Sequence, residues 1–210
     1  MPVPPDFILS ALVTLFVVVD PVGLAPTYLA ITHDLPAEAR LNVAVRATII
    51  AAAILAGTAL VGEWLLTMLT ISLPAFRIAG GLLLFSIASE MVFGVRTERQ
   101  SRTAEQAIED HVRNIAAFPL AFPLLAGPGA ITATILLSGQ AAGRPLMLLA
   151  LIFVIVGIVG SCLIAFMLAE HIRRLLGPTG NLVVQRLLGV LLAALAVQYV
   201  IDGVRAVLRA

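Results

Sequence analysis

The chain has 210 residues, 60% of them hydrophobic and 12% charged, with 13 basic side chains set against 12 acidic ones. Soluble domains carry about 25% charged residues, so a mean hydropathy of +1.07 leaves more apolar surface than a soluble fold of this length can hide. A net charge of +1 provides no field to gather nucleic acid, and the single Cys162 excludes an internal disulfide and a cysteine-rich metal site.

A helix crossing about 30 Å of hydrocarbon needs about 20 mostly apolar residues. Gaps between charges place six such stretches at 7–32, 44–66, 74–94, 115–139, 146–169 and 183–204. The first is expected to stay attached: the residues before Phe7 include Asp6 and no arginine, unlike the basic start of a signal peptide. It is also interrupted, because Asp20-Pro21-Val22-Gly23 stands in the middle of its apolar run. Asp before Pro is a helix-start signature, so the stretch reads as two half-helices. The second and third stretches carry Glu63, Arg77 and Glu90 near their ends, where charged side chains snorkel to the interface. Gly80 and Gly81 read as helix-packing positions.

The polar stretch 96–114 reads as a linker that joins two halves, 7–95 and 115–204, of a single integral membrane domain spanning 1–210. Beyond it, Pro119 and Pro123 lead into Ala126-Gly127-Pro128-Gly129-Ala130, a second break with glycine in the place of Asp20. In the last two stretches Glu170, Arg186 and Asp202 repeat the snorkelling pattern, and Gly189 the packing one. Trp64 and Tyr199 suit an interfacial aromatic belt. His33, His111 and His171 show no metal-ligand spacing.

The halves match each other in order. A shift of 107 residues sets Pro21 on Pro128, Thr27 on Thr134 and Glu63 on Glu170, and a shift of 109 sets Arg77 on Arg186 and Gly80 on Gly189. Three spans per repeat end on the side opposite their start, so the second copy enters upside down. The expected fold is therefore all-α, with six transmembrane segments arranged as two inverted three-helix repeats, the first helix of each broken. Inverted repeats are a recurrent construction of secondary transporters. Most arginines, among them Arg40, Arg46, Arg96, Arg99, Arg102, Arg113, Arg173 and Arg174, fall in the loops between spans 1–2, 3–4 and 5–6. The positive-inside rule makes those loops cytoplasmic and both termini periplasmic, in a bacterial inner membrane. A second topology stays open, in which each broken helix is a re-entrant hairpin and only four true spans remain.

Backbone groups left free at a break survive in a bilayer only when buried in protein or facing a polar cavity. The half-helix starting at Pro128 offers free N–H groups to a solute carboxylate, and Asp20 offers acceptors to an ammonium group. The substrate-binding candidates are Asp20, Pro21, Gly23, Thr27, Gly127, Pro128, Gly129 and Thr132, with Thr134 beside them. Structural alternatives accompany each: Asp20 as a kink stabiliser, Gly127 and Gly129 as close-packing positions.

The blocks VVVDPVGLAPTYLAIT from Val17, FRIAGGLLLFSIASEMVFG from Phe76 and PLAFPLLAGPGAITATILLSG from Pro119 closely resemble the MarC family of membrane proteins. The resemblance implies a six-span inner-membrane protein, and its SnatA-type members imply transport of small neutral amino acids. Asp20, Pro21, Gly23, Gly127, Pro128 and Gly129 match the family pattern. Leu24 departs from it, standing where many members have Asn, so solute identity does not carry over.

The function expected is secondary transport or export of a small neutral solute, an amino acid by the chemistry of the two breaks, without a cofactor. The expected partners are the lipid bilayer, that solute and a coupling proton or sodium ion; self-association into a homo-oligomer stays open. No P-loop supplies ATP. A passive channel or a non-transporting scaffold is the alternative. An enzyme is not expected, since an aspartyl protease needs two carboxylates sharing a site and Asp20 is alone at depth.

Overall fold

The computed structural model describes residues 3–109 and 114–209; Asp110, His111 and Arg113 lie outside them. The described residues form helices α1 (Pro5–Val19), α2 (Leu24–Ile31), α3 (Ala37–Met68), α4 (Leu73–Phe93), α5 (Val95–Glu109), α6 (Pro128–Gln140), α7 (Pro145–Met167) and α8 (Ala169–Leu208). A loosely wound proline segment, Ala116–Leu125, precedes α6.

Local chemistry sets the boundaries. Proline stands in the first turn of α1, α4, α6 and α7, where its missing N–H costs nothing and its fixed φ suits the helix. Ser72 caps α4 by accepting from the Ala75 N–H at 3.3 Å, and Gly94, at φ 82°, closes that helix in the left-handed conformation glycine favours. In the proline segment Phe118 and Phe122 are extended, as residues before proline are, and the chain winds through wide turns such as Ala126 N to Ala121 O at 2.8 Å. Gly177, at φ 60°, interrupts α8 ahead of its apolar part, Thr179–Leu208.

Among the described residues, four helices are long and apolar enough to cross a membrane: Ala37–Met68, Leu73–Phe93, Pro145–Met167 and Thr179–Leu208. Two bent pairs, α1 with α2 at 42° and the proline segment with α6 at 57°, bring the total to six if each is one span. Trp64, Phe85, Phe93, Phe153 and Leu187 stand exposed along the helices, an apolar exterior that suits lipid rather than water.

The helices are exchanged between the halves. α3 packs on the proline segment and α6, α7 packs on α1 and α2, α4 on α6, and α8 on α2. The most extensive interface joins α4 to α8. Glycines let those two backbones touch: a Cβ on Gly81 would stand 2.7 Å from the Ala196 carbonyl, and one on Gly189 would stand 2.8 Å from Met91 Cβ.

One expectation is corrected by this packing. Tyr199 does not belong to an interfacial belt; it is buried, with its hydroxyl 3.5 Å from Thr14 Oγ1, because α8 passes behind α1. Most of the polar linker lies in α5, which packs on α2, α4 and the proline segment and buries Arg96 and Gln100.

Candidate functional site

At the first break α1 ends on Asp20, which adopts φ 57° and ψ 66°, a conformation that Asp tolerates because its short polar side chain bonds locally. That bond is present: Oδ1 accepts from the Gly23 N–H at 3.0 Å, while the Asp20 carbonyl accepts from Leu24 N at 3.1 Å. Asp20 thus caps the turn that opens α2, as the Asp-Pro signature requires. The residue is fully buried, and its second oxygen, Oδ2, has no hydrogen-bond partner among the described residues.

The groups around it come from distant parts of the chain. From the first turn of α5, Arg96 Nη2 donates to the Val18 carbonyl at 2.6 Å and Nη1 to Met91 Sδ at 3.2 Å. Val18 O is among the carbonyls that the end of α1 leaves without a helical partner, so the guanidinium seals the break. From α8, Gln185 accepts from Thr97 Oγ1 at 2.6 Å, while its amide nitrogen lacks a partner among the described residues. That nitrogen and Asp20 Oδ2 both crowd the space above Gly23, where any Cβ would collide with them. Only glycine fits there.

The second break opens a cavity of about 370 Å³. Gly127 is the N-cap of α6 in extended geometry, no side chain caps the helix, and its first backbone bond is Ile131 N to Gly127 O at 3.0 Å. The N–H groups of Gly129 and Ala130 precede that bond and are the free donors of the helix start. Both residues line the cavity, as do Arg96, Arg99, Gln100 and Thr103 of α5 and Glu90 of α4. Arg99 and Glu90 pair across its rim, Nη1 to Oε1 and Nη2 to Oε2 both at 2.9 Å. Glu90 therefore faces a cavity rather than snorkelling to a headgroup layer.

The sequence-named residues divide into two groups. Gly127, Pro128, Gly129 and Thr132 line the cavity; Asp20, Pro21, Gly23 and Thr27 do not, and lie buried behind it. Val18 and Arg96 join the groups. Val18 lines the cavity, its Cγ1 would stand 3.2 Å from a Cβ on Gly129, and its carbonyl holds Arg96. Thr134 spends its hydroxyl on Ala130 O at 2.7 Å in its own helix. Gly127 and Gly129 also have packing reasons, since a Cβ would strike the Pro123 carbonyl at the first and Ile87 Cδ1, 2.5 Å away, at the second.

Sequence reasoning missed Gln100 and Gln185, and counted Arg96 only toward topology. A signal was present: 96, 99, 100 and 103 follow helical i, i+3, i+4, i+7 spacing, and Asn181 and Gln185 interrupt apolar sequence at i, i+4. A second cavity, about 300 Å³, lies at the other end of α6 and is lined by Glu63, Ser138, Ala141 and Arg144 among others. Between Thr132 in the first cavity and Ser138 in the second, Ile135 seats on Gly62, its Cγ1 3.0 Å from where a Cβ would stand.

Comparison with known proteins identifies an integral membrane family. Residues 5–208 match the model of the MarC family integral membrane protein. The chain is 39% identical to a UPF0056 membrane protein of Archaeoglobus fulgidus, covering 94% of this chain and 92% of that one. It is 36% identical to one from Methanocaldococcus jannaschii, covering 97% and 98%. With the UPF0056 membrane protein YhcE of Escherichia coli it shares 33% identity, covering 92% and 89%. No solved structure matches. Matched over nearly its whole length, the chain belongs to the MarC family of integral, multi-pass membrane proteins.

Proposed function

We propose that the protein is a secondary carrier of small zwitterionic solutes, small neutral amino acids, which bind in the cavity at the start of α6. The observation that carries this reading is the placement of the uncapped Gly129 and Ala130 N–H groups in a cavity also lined by Arg96. A helix start and a guanidinium together form a carboxylate site. The volume, about 370 Å³, is at the low end of the roughly 300–1,000 Å³ of small-molecule sites, which favours a small solute.

The second cavity supports transport over static binding. Thr132 and Ser138 are separated by six residues of α6, about 9 Å along a helix, and Ile135 on Gly62 forms the barrier between the chambers. Asp20 is the site of the coupling proton. Its buried, unpartnered oxygen supports that assignment, and the nearby Arg96 charge argues against a second cation such as sodium there.

In this reading the bent pairs are broken spans. A bend of 42° or 57° leaves the second half travelling onward, whereas a hairpin would have to turn past a right angle. Six spans then make two inverted repeats, and the exchange of helices between the halves supports that symmetry. The arginine-rich loops face the cytoplasm, both termini face outward, and the α5 cavity opens inward. Cysteine labelling tests the arrangement cleanly, because the native Cys162 is fully buried. Ser101→Cys in α5 and Ala142→Cys between α6 and α7 should react with an impermeant thiol reagent from opposite faces; reaction from one face would mean a re-entrant α6.

The functional test is flux. Purified protein in proteoliposomes should take up radiolabelled alanine with saturation, compete with glycine and serine, and respond to a pH gradient. Linear, non-competable flux would favour a passive channel. Absence of both flux and binding would favour a scaffold.

A further inference from the structure

We propose that α5 supplies the ammonium-recognising half of the solute site, with Gln100 as the residue that selects a zwitterion over a simple carboxylate. This rests on the carrier reading above and extends it to a helix that its sequence presents as a linker. Arg96, Arg99, Gln100 and Thr103 form one stripe of α5 and line the cavity that also receives the α6 helix start.

The members of the stripe are not equally free. Arg96 is engaged by Val18 O and Met91 Sδ, and Arg99 by both oxygens of Glu90. Two buried acceptor atoms on cavity-lining residues lack hydrogen-bond partners among the described residues, Glu90 Oε2 and Gln100 Oε1. The first faces the Arg99 guanidinium at 2.9 Å; the second is the oxygen of a neutral amide. Gln100 is only 6% exposed. A buried amide oxygen without a donor is costly to leave unmade, and native proteins keep such groups where something completes them.

Turned about its soft terminal torsion, the amide brings that oxygen into the chamber, where a solute α-ammonium completes it. With its carboxylate on the Gly129 and Ala130 N–H groups, a small amino acid presents its N–H donors across the same chamber, where Gln100 Oε1 accepts one. A des-amino analogue fills the carboxylate end and leaves the amide oxygen unpaired. Sites built to hydrogen-bond a solute group reject analogues that lack it far more strongly than apolar pockets reject a missing methylene.

The test compares L-alanine with propionate as competitors of radiolabelled alanine in proteoliposomes of the full-length protein. The wild-type protein should prefer alanine by about tenfold or more. Gln100→Leu, similar in bulk but without an acceptor, should weaken alanine and leave propionate within about twofold, collapsing the preference. Gln100→Glu, which retains an acceptor, should keep it. Gln100→Met is the second apolar variant if Gln100→Leu does not assemble. A preference retained in the apolar variants overturns the assignment, as does an equal loss of both ligands, which would mean a structural role. Wild-type protein that binds neither ligand overturns the carrier reading itself, a result distinct from wild-type binding that Gln100 substitution leaves unaltered.

Discussion

Asp20→Asn should uncouple alanine accumulation from the pH gradient while leaving the protein assembled. The substitution is nearly isosteric, and Asn tolerates the left-handed backbone that Asp20 adopts at φ 57°. Its amide oxygen still accepts from Gly23 N, so the turn into α2 keeps its cap. Only the ionisable oxygen is lost, the one without a partner. On the proposed reading, Arg96 connects proton to solute: the same side chain lines the solute cavity and places its field on Asp20. A solute carboxylate that draws on that guanidinium weakens its hold on the Asp20 anion and favours proton uptake there. Coupling free energies between linked sites correspond to about 5- to 150-fold in affinity, and gradient-driven accumulation should fall by a factor in that range. Exchange of internal for external alanine, which needs no net proton movement, should persist. Accumulation that matched the wild-type protein would remove Asp20 from the coupling step. Asp20→Ala serves as the contrast, because it loses the cap at a cost of about 0.5–2 kcal/mol and sets an ordinary Cβ residue in the left-handed region. It should therefore lower the melting temperature in detergent as well.

The helices could be read because charge is so expensive in hydrocarbon that its absence marks apolar helical stretches; the observed helices match the expected stretches to within a few residues at most ends. The breaks could be read too, since Asp-Pro and Gly-Pro-Gly have no reason to interrupt an apolar run unless a helix restarts there. The linker was another matter. Polarity over 96–114 matches a solvated connection, and nothing in that composition says that one face turns inward. The decisive feature was the spacing of Arg96, Arg99, Gln100 and Thr103, a polar stripe directed at polar groups inside the protein, the reverse of a soluble amphipathic helix.

Asp20 and Gly127, both named as substrate-binding candidates, lie apart for a local reason. The left-handed turn at Asp20 directs its carboxylate back over Gly23 toward Gln185, and Val18 stands between it and the α6 start. Residue type and spacing fix that a break occurs, but the direction of a side chain at the break depends on neighbours from α5 and α8 that no local pattern names. Tyr199 illustrates the same limit: an aromatic near a span end suits an interface until another helix covers it.

Arg96→Gln should be the most destabilising single change in the site, and Asp20→Asn should rescue it. Arg96 is buried, bridges α5 to the open end of α1, and is the cation whose charge acts on Asp20. Loss of the guanidinium leaves the Val18 carbonyl without its donor and the buried Asp20 carboxyl without its nearby positive charge, and an unsatisfied buried polar group costs about 1–3 kcal/mol. Removing both charges costs less, since two neutral polar groups need only hydrogen bonds. The double variant Asp20→Asn/Arg96→Gln should thus melt at a higher temperature than Arg96→Gln alone. The non-additivity in a four-protein cycle should lie between about 0.5 and 3 kcal/mol, the range for coupled neighbours. Thermal unfolding in detergent, followed by loss of the monodisperse peak, measures all four proteins on one scale. Function should separate from stability in this series. The rescued double variant recovers its fold but lacks both the guanidinium of the carboxylate site and the proton-binding oxygen, so alanine affinity and gradient response should stay low. Additive melting shifts would mean that the two charges do not sense each other, and the link between cavity and buried carboxylate would then have to run through Val18 packing instead.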